Sequence, residues 1–213
     1  MFKINIHLFT ATGPEAVSRI ADLGYGIFLD LKYHDIPNTV AGAISVALTL
    51  PRVRLIDVHT AGGAAMMRAA AEALAKSPRP AERPKLLGIS VLTSMDGSEL
   101  RRIGMTGTPG ARALALARLA KKCGLDGVVA SPQEVRRIRK ACGDDFLIVV
   151  PGIRHAEPGA KRSDDQARVA TPAEAIRAGA DYLVIGRPIT AAPDPRIAAR
   201  AVVEEIRTAL KSV

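Results

Sequence analysis

Seven short apolar runs rich in β-branched residues recur along the chain: "FKINI", "GIFLDLK", "RLIDVH", "KLLGISVLT", "DGVVAS", "FLIVVPG" and "DYLVIGR". Longer stretches of helical patterning separate them. That alternation limits the possible folds more than any other feature. Parallel neighbours need a crossover connection, and near-continuous apolar strands imply a sheet covered on both faces. The chain is therefore expected to be α/β, either a (β/α)8 TIM-type barrel or a doubly wound open sheet. No GxGxxG follows the first run, which weakens the dinucleotide-binding form of the open sheet and leaves the barrel ahead. Seven runs fall one short of a barrel's eight, and the sequence opens directly on a strand. The expectation is a barrel lacking its N-terminal strand, with apolar surface exposed where the opening strand and the closing helix would meet that neighbour.

Helix starts are marked by "TGPE", "SPQE" and "TPAE", each a capping residue, a proline in the first turn and a glutamate three positions after the cap. Asn38 is the expected cap of "TVAGAISVAL". At 213 residues the chain suits a single barrel domain spanning 1–213. Aromatics make up only 3%, so aliphatic side chains must fill the core.

The net charge of +9 is spread over helix faces such as "ARALALARLAKK" and forms no basic tail, so no nucleic-acid partner is expected. Cys123 and Cys142 lack CxxC spacing, which argues against zinc and a disulfide framework and fits a reducing cytoplasm. The start lacks the pattern of an export signal, and no run is long enough to span a membrane, so no membrane partner is expected.

The segment "DLKYHDIPNT" crowds unlike charges at the end of an apolar strand. Side chains alternate along a strand, so Phe28, Asp30 and Lys32 share one face, and Ile27, Leu29 and Leu31 the other. If the aliphatic trio packs on helices, Asp30 and Lys32 point inward at the C-terminal strand end, where barrel active sites lie. The competing reading is a local surface ion pair worth only ~0–1 kcal/mol. Other strand ends are polar too: Asp57 and His59, Thr93 and Ser94, Arg154, and Arg187. His59 is read as a hydrogen-bonded structural residue, and no histidine spacing suggests a metal site.

Gly186 would let backbone approach a ligand and Arg187 would offer a donor fork, in the position where barrels hold phosphate. The long polar segment "RHAEPGAKRSDDQARVA", 154 to 170, is expected to act as a lid over an anionic ligand.

The blocks "FLDLKYHDIPNTV", "VHTAGG", "GISVLTSM", "VVPGIR", "DDQARVATPAEAIRAGADYLVIGRPIT" and the closing "DP" resemble the orotidine 5'-phosphate decarboxylase family. The resemblance implies decarboxylation of orotidine 5'-phosphate to uridine 5'-phosphate without metal or organic cofactor. It also implies a homodimer with shared active sites. Lys3, Asp30, Lys32 and Asp35 would form an alternating charge network, with Lys32 the proton donor to C6. Asp35 would reach the partner's site, accompanied by Ile36 and Thr39. Thr93 and the Pro151 region would border the base, and Arg154, Gln166, Gly186 and Arg187 would hold the phosphate. Family members also carry an earlier strand whose terminal aspartate contacts the ribose. Asn5 stands where a glycine is common, and Asp57 departs from the family's usual residue. Two alternatives stay open: a non-catalytic binder of phosphoribosyl ligands, and a magnesium-dependent sugar-phosphate decarboxylase of the same superfamily.

Overall fold

A computed structural model describes residues 1–154 and 168–211. Its seven strands form one sheet in chain order. They are β1 (Phe2–Asn5), β2 (Ile27–Tyr33), β3 (Val53–His59), β4 (Lys85–Ile89), β5 (Gly127–Val129), β6 (Leu147–Val150) and β7 (Tyr182–Leu183). The pairings of β1 with β2, β2 with β3, β3 with β4, and β6 with β7 are all parallel. Every apolar run singled out in the sequence thus becomes a strand. The ends differ: Ile6 belongs to the next helix, β4 stops at Ile89, and β7 is two residues long.

The connecting helices are α1 (Ile6–Thr12), α2 (Glu15–Asp22), α3 (Pro37–Ala47), α4 (Gly63–Ala75), α5 (Gly97–Arg102) and α6 (Pro109–Lys122). They continue with α7 (Val135–Cys142), α8 (Pro172–Arg177), α9 (Arg187–Thr190) and α10 (Pro195–Leu210). The chain divides into two compact units, Met1–Ser90 with Leu116–Val128, and Val91–Ala115 with Val129–Val213.

In the first unit Ile27, Leu29, Leu55, Ile56, Leu86 and Leu87 of the strands are buried with Val40 and Ile44 of α3 and Met66, Met67 and Leu74 of α4. Burying each such side chain contributes about 1.5–3 kcal/mol before the entropy of ordering is set against it. Gly88 has no room for a side chain, since a Cβ there would lie 2.6 Å from Thr60 Cγ2 and 3.1 Å from Leu125 Cδ2. In the second unit Ile148, Val149 and Val150 of β6 are buried, as are Val135 and Ile138 of α7 and Ala175 of α8. The exposure expected at the first strand and last helix is present: Phe2 of β1 is 49% exposed, and Ile197 and Leu210 of α10 are 65% and 59% exposed.

The capping expectations fare unequally. Thr171 and Glu174 form the complete reciprocal box at α8. Ser131 does accept from Gln133 N–H, but Glu134 is buried and turned to Arg168 instead of back to its cap. "TGPE" makes no box, because Pro14 is the cap of α2 and the Thr12 hydroxyl donates to the Leu8 carbonyl within α1. Asn38 is not a cap either: α3 begins one residue earlier, at Pro37, whose fixed φ suits the first helical position.

Candidate active site

The register of β1 on β2 places Lys3 opposite Phe28. Paired residues in a parallel sheet share a face, as do residues two apart on one strand, so Lys3, Phe28 and Asp30 lie on the same side. The Lys3 ammonium accordingly donates to Asp30 Oδ2 at 2.5 Å, and the Lys32 ammonium pairs with Asp30 Oδ1. Asp30 is 6% exposed, so these two cations offset the cost of its burial.

Burial by itself would raise the Asp30 pKa. A hydrogen bond with Asp57, the charge and hydrogen bond of Lys3, and the bond from Lys32 outweigh it and hold the carboxyl at about 2. Asp57 moves the other way: its complete burial, then its hydrogen bond to Asp30 and that group's charge, raise it well above its ordinary value. Asp57 Oδ1 accepts the Lys32 N–H at 2.8 Å, while Oδ2 receives no donor. Of the two acids, Asp57 is therefore the one that takes up a proton first.

Lys32 has φ 53°, in the left-handed region. For a residue with a side chain that conformation costs about 1–2 kcal/mol, and such strain gathers at functional sites.

On the loop after β2, Asp35 is exposed and its carboxylate accepts Ile36 N–H at 2.6 Å; Ile36 is 66% exposed and Thr39 is exposed too. His59 Nδ1 accepts the Ala61 N–H at 3.4 Å at the cap of a short 3-10 turn, and its ring stacks on His34 at 5.2 Å. Its pKa is lowered by burial and then by His34 and Lys32. That structural use matches the role expected for it.

The remaining sequence candidates lie in the second unit. Thr93 sits half-buried in the turn after β4, and Pro151 follows β6. Arg154 N–H donates to the Ala170 carbonyl at 3.0 Å and Ala170 N–H to the Gly152 carbonyl at 3.3 Å. With the bridge between Ile153 and Ala170, these bonds tie together the two ends of the expected lid. Gly186 caps α9, and Arg187 opens it, both exposed. Gln166 and most of the expected lid lie outside the described residues. Among the described residues no group of three His, Cys, Asp or Glu side chains is placed to hold a metal ion.

Sequence reasoning gave no role to two groups. One is Asp57. The other is Arg168, 7% exposed at the downstream edge of the expected lid, which donates to Glu134 Oε1 at 2.7 Å and to the Leu92 carbonyl at 2.9 Å. The signal for Arg168 was its place in "DDQARVA", and for Asp57 an acid inside an otherwise apolar strand.

Comparison with known proteins bears on the family and the fold. Residues 1–202 match the model of the orotidine 5'-phosphate decarboxylase / HUMPS family. Orotidine 5'-phosphate decarboxylase of Geotalea uraniireducens is 53% identical over 97% of this chain and 84% of its own length. That of Moorella thermoacetica is 51% identical over 97% and 81%. The crystal structure of orotidine 5'-phosphate decarboxylase from Lactobacillus acidophilus superposes with TM-score 0.83 at 38% identity, covering 96% of this chain and 85% of that one. The fold is therefore of the TIM-type α/β class, here with seven strands among the described residues. The chain belongs to the orotidine 5'-phosphate decarboxylase / HUMPS family.

Proposed function

We propose that this chain decarboxylates orotidine 5'-phosphate to uridine 5'-phosphate, with Lys32 as the proton donor. One observation carries the reading: a buried, ionised carboxylate at Asp30 holds two ammonium groups, Lys3 and Lys32, beside a strand end. Loss of carbon dioxide breaks the bond from C6 and leaves its electron pair on a ring carbon with no electron sink. Preorganised positive charge is what such a carbanion needs, and it needs no reorganisation at the moment of reaction. Lys32 supplies that charge and then transfers an N–H proton to C6, ending neutral until solvent reprotonates it. Asp30 holds the Lys32 ammonium in place beforehand through their ion pair.

Arg154, Gln166, Gly186 and Arg187 are assigned to the phosphate, a group remote from the reacting carbon whose binding can drive lid closure. Thr93 and Pro151 border the base. Asp35, Ile36 and Thr39 are offered to a second copy in a cytoplasmic homodimer that works as one barrel domain per chain. The scheme uses no metal or organic cofactor.

The test is the loss of pyrimidine absorbance as orotidine 5'-phosphate turns over. Lys32→Ala should lower kcat by at least ~10³-fold, because it removes both proton donor and charge, while uridine 5'-phosphate still binds. Binding by the unaltered chain without turnover would refute the enzyme reading. Activity lost on adding a chelator would refute the metal-free scheme.

A further inference from the structure

β2 and β3 keep parallel register with Leu29 opposite Ile56 and regain it with Tyr33 opposite Val58, so Asp30, Leu31 and Lys32 face Asp57 alone. An insertion of this kind bends a strand and re-aims its side chains, and such bulges are common beside active sites. Within it Lys32 holds the left-handed φ of 53°. The Lys32 N–H, turned out of the regular ladder, donates instead to the Asp57 carboxyl at 2.8 Å. Asp57 is fully buried beside Asp30, the group that carries the Lys32 ammonium, and its Oδ2 has no hydrogen-bond partner among the described residues. One side chain therefore holds the main chain of Lys32 and stands next to the acid on which that lysine's ammonium rests.

We propose that Asp57 is a positioning residue, which locks the bulge so that Lys32 keeps its left-handed backbone and its ammonium stays on Asp30. The inference rests on Lys32 being the proton donor. The raised pKa of Asp57 agrees with it, since a protonated carboxyl can accept the Lys32 N–H while adding no second negative charge beside Asp30. An asparagine carbonyl can accept the same N–H. A leucine has the same branching and cannot.

That contrast sets the experiment. Asp57→Leu should lower kcat about 100-fold, the cost of a misplaced reacting group. Its affinity for uridine 5'-phosphate should stay within roughly threefold, the pattern of an interaction that matters in the transition state. Asp57→Asn should retain kcat within roughly tenfold, because the bond from the Lys32 N–H survives. A purely structural Asp57 would instead lower the melting temperature and leave kcat of the folded protein alone. Full kcat in Asp57→Leu, or equal loss in Asp57→Asn, overturns the proposal. Asp57→Ala takes the place of the leucine variant should that fail to fold. Independently of any variant, the Lys32 amide of the unaltered protein should exchange with solvent as slowly as the amides of β3; rapid exchange overturns the anchoring. An inactive parent with a slowly exchanging Lys32 amide would refute the proton-donor reading while leaving the anchoring intact.

Discussion

Two carboxylates in the first unit each hold two cations, one on β2 and one beside the start of β4, and they are built differently. Asp30, in the last part of β2, is held by Lys3 and Lys32. Asp126 lies beside the start of β4, where Arg83 grips it in a fork at 2.7 and 3.0 Å and Lys85 stands at 3.5 Å. Asp126 also accepts the Leu86 N–H at 2.8 Å. The second unit repeats that design: Asp181 takes Arg139 at 2.6 Å and the Ile148 N–H at 2.7 Å. In both places an aspartate of "GLD" or "GAD" precedes one strand and fastens the start of the strand before it. An arginine fork and a main-chain donor fix geometry and hold no transferable proton, whereas two lysines hold charge in a form that can give a proton away. The difference separates a clamp from a reaction centre, in keeping with barrels that react at C-terminal strand ends and are stabilised at the other.

Exchanging the type of cation should break this distinction most sharply. Lys32→Arg keeps the charge opposite Asp30 and removes the donor, since a guanidinium is not deprotonated in proteins. We expect turnover to fall by about 10³-fold, the middle of the range for a lost general acid. Lys85→Arg at Asp126 should leave turnover unchanged and alter stability by no more than about 0.5 kcal/mol, as for an ordinary exposed substitution. Steady-state rates and melting curves of the two variants decide it. Equal activity of both would show that Lys32 gives no proton.

Neutralising the acids should separate them in the opposite sense. Asp126→Asn weakens a forked ion pair and a main-chain bond, so it should cost about 1–3 kcal/mol. For a chain of this size that is a fall in melting temperature of about 2–12 °C, with turnover unaltered. Asp30→Asn should lose turnover by about 10²-fold or more, because it removes the charge that holds both ammonium groups, and should lower stability as well, since the pairing that outweighs its burial penalty goes with it. If Asp126→Asn proved inactive while stable, the clamp would belong to the chemistry as well.

Much of this was legible before any coordinates. Strand existence followed from apolar periodicity, and the meeting of Asp30 with Lys32 followed from their spacing in "DLK". Strand pairing and register brought Lys3 to Asp30 across 27 positions of sequence, so spacing alone could not place it there. The bulge that gives Asp57 its grip arises where two strands lose register, and a single strand's alternation does not contain that information. Glu134 illustrates tertiary override: its position in "SPQE" fits a capping box, yet a buried arginine from a distant segment takes its carboxylate. Asn38 and Thr12 failed as caps because a proline at or beside the first helical position moved each helix start.

The mildest test concerns the proton balance beside Lys32. His59 ordinarily titrates near 6.5, and burial, then the neighbouring His34 and Lys32, lower its value in the folded protein. A histidine that resists protonation when folded binds more protons when unfolded, so its contribution to stability is present above pH 6.5 and is lost as pH falls below that value. His59→Asn keeps an acceptor for the Ala61 N–H and removes the titration. The melting temperature of the parent should therefore drop relative to that of His59→Asn as pH is lowered from 7 toward 5. Partial solvent exposure limits the difference to about 1 kcal/mol or less, and thus to a few degrees. Parallel curves for the two proteins would mean that His59 is freely solvated, and that the positive charge held on Asp30 does not reach the β3 end. A widening gap would show burial first, and the charges of His34 and Lys32 after it, keeping His59 neutral in the folded protein.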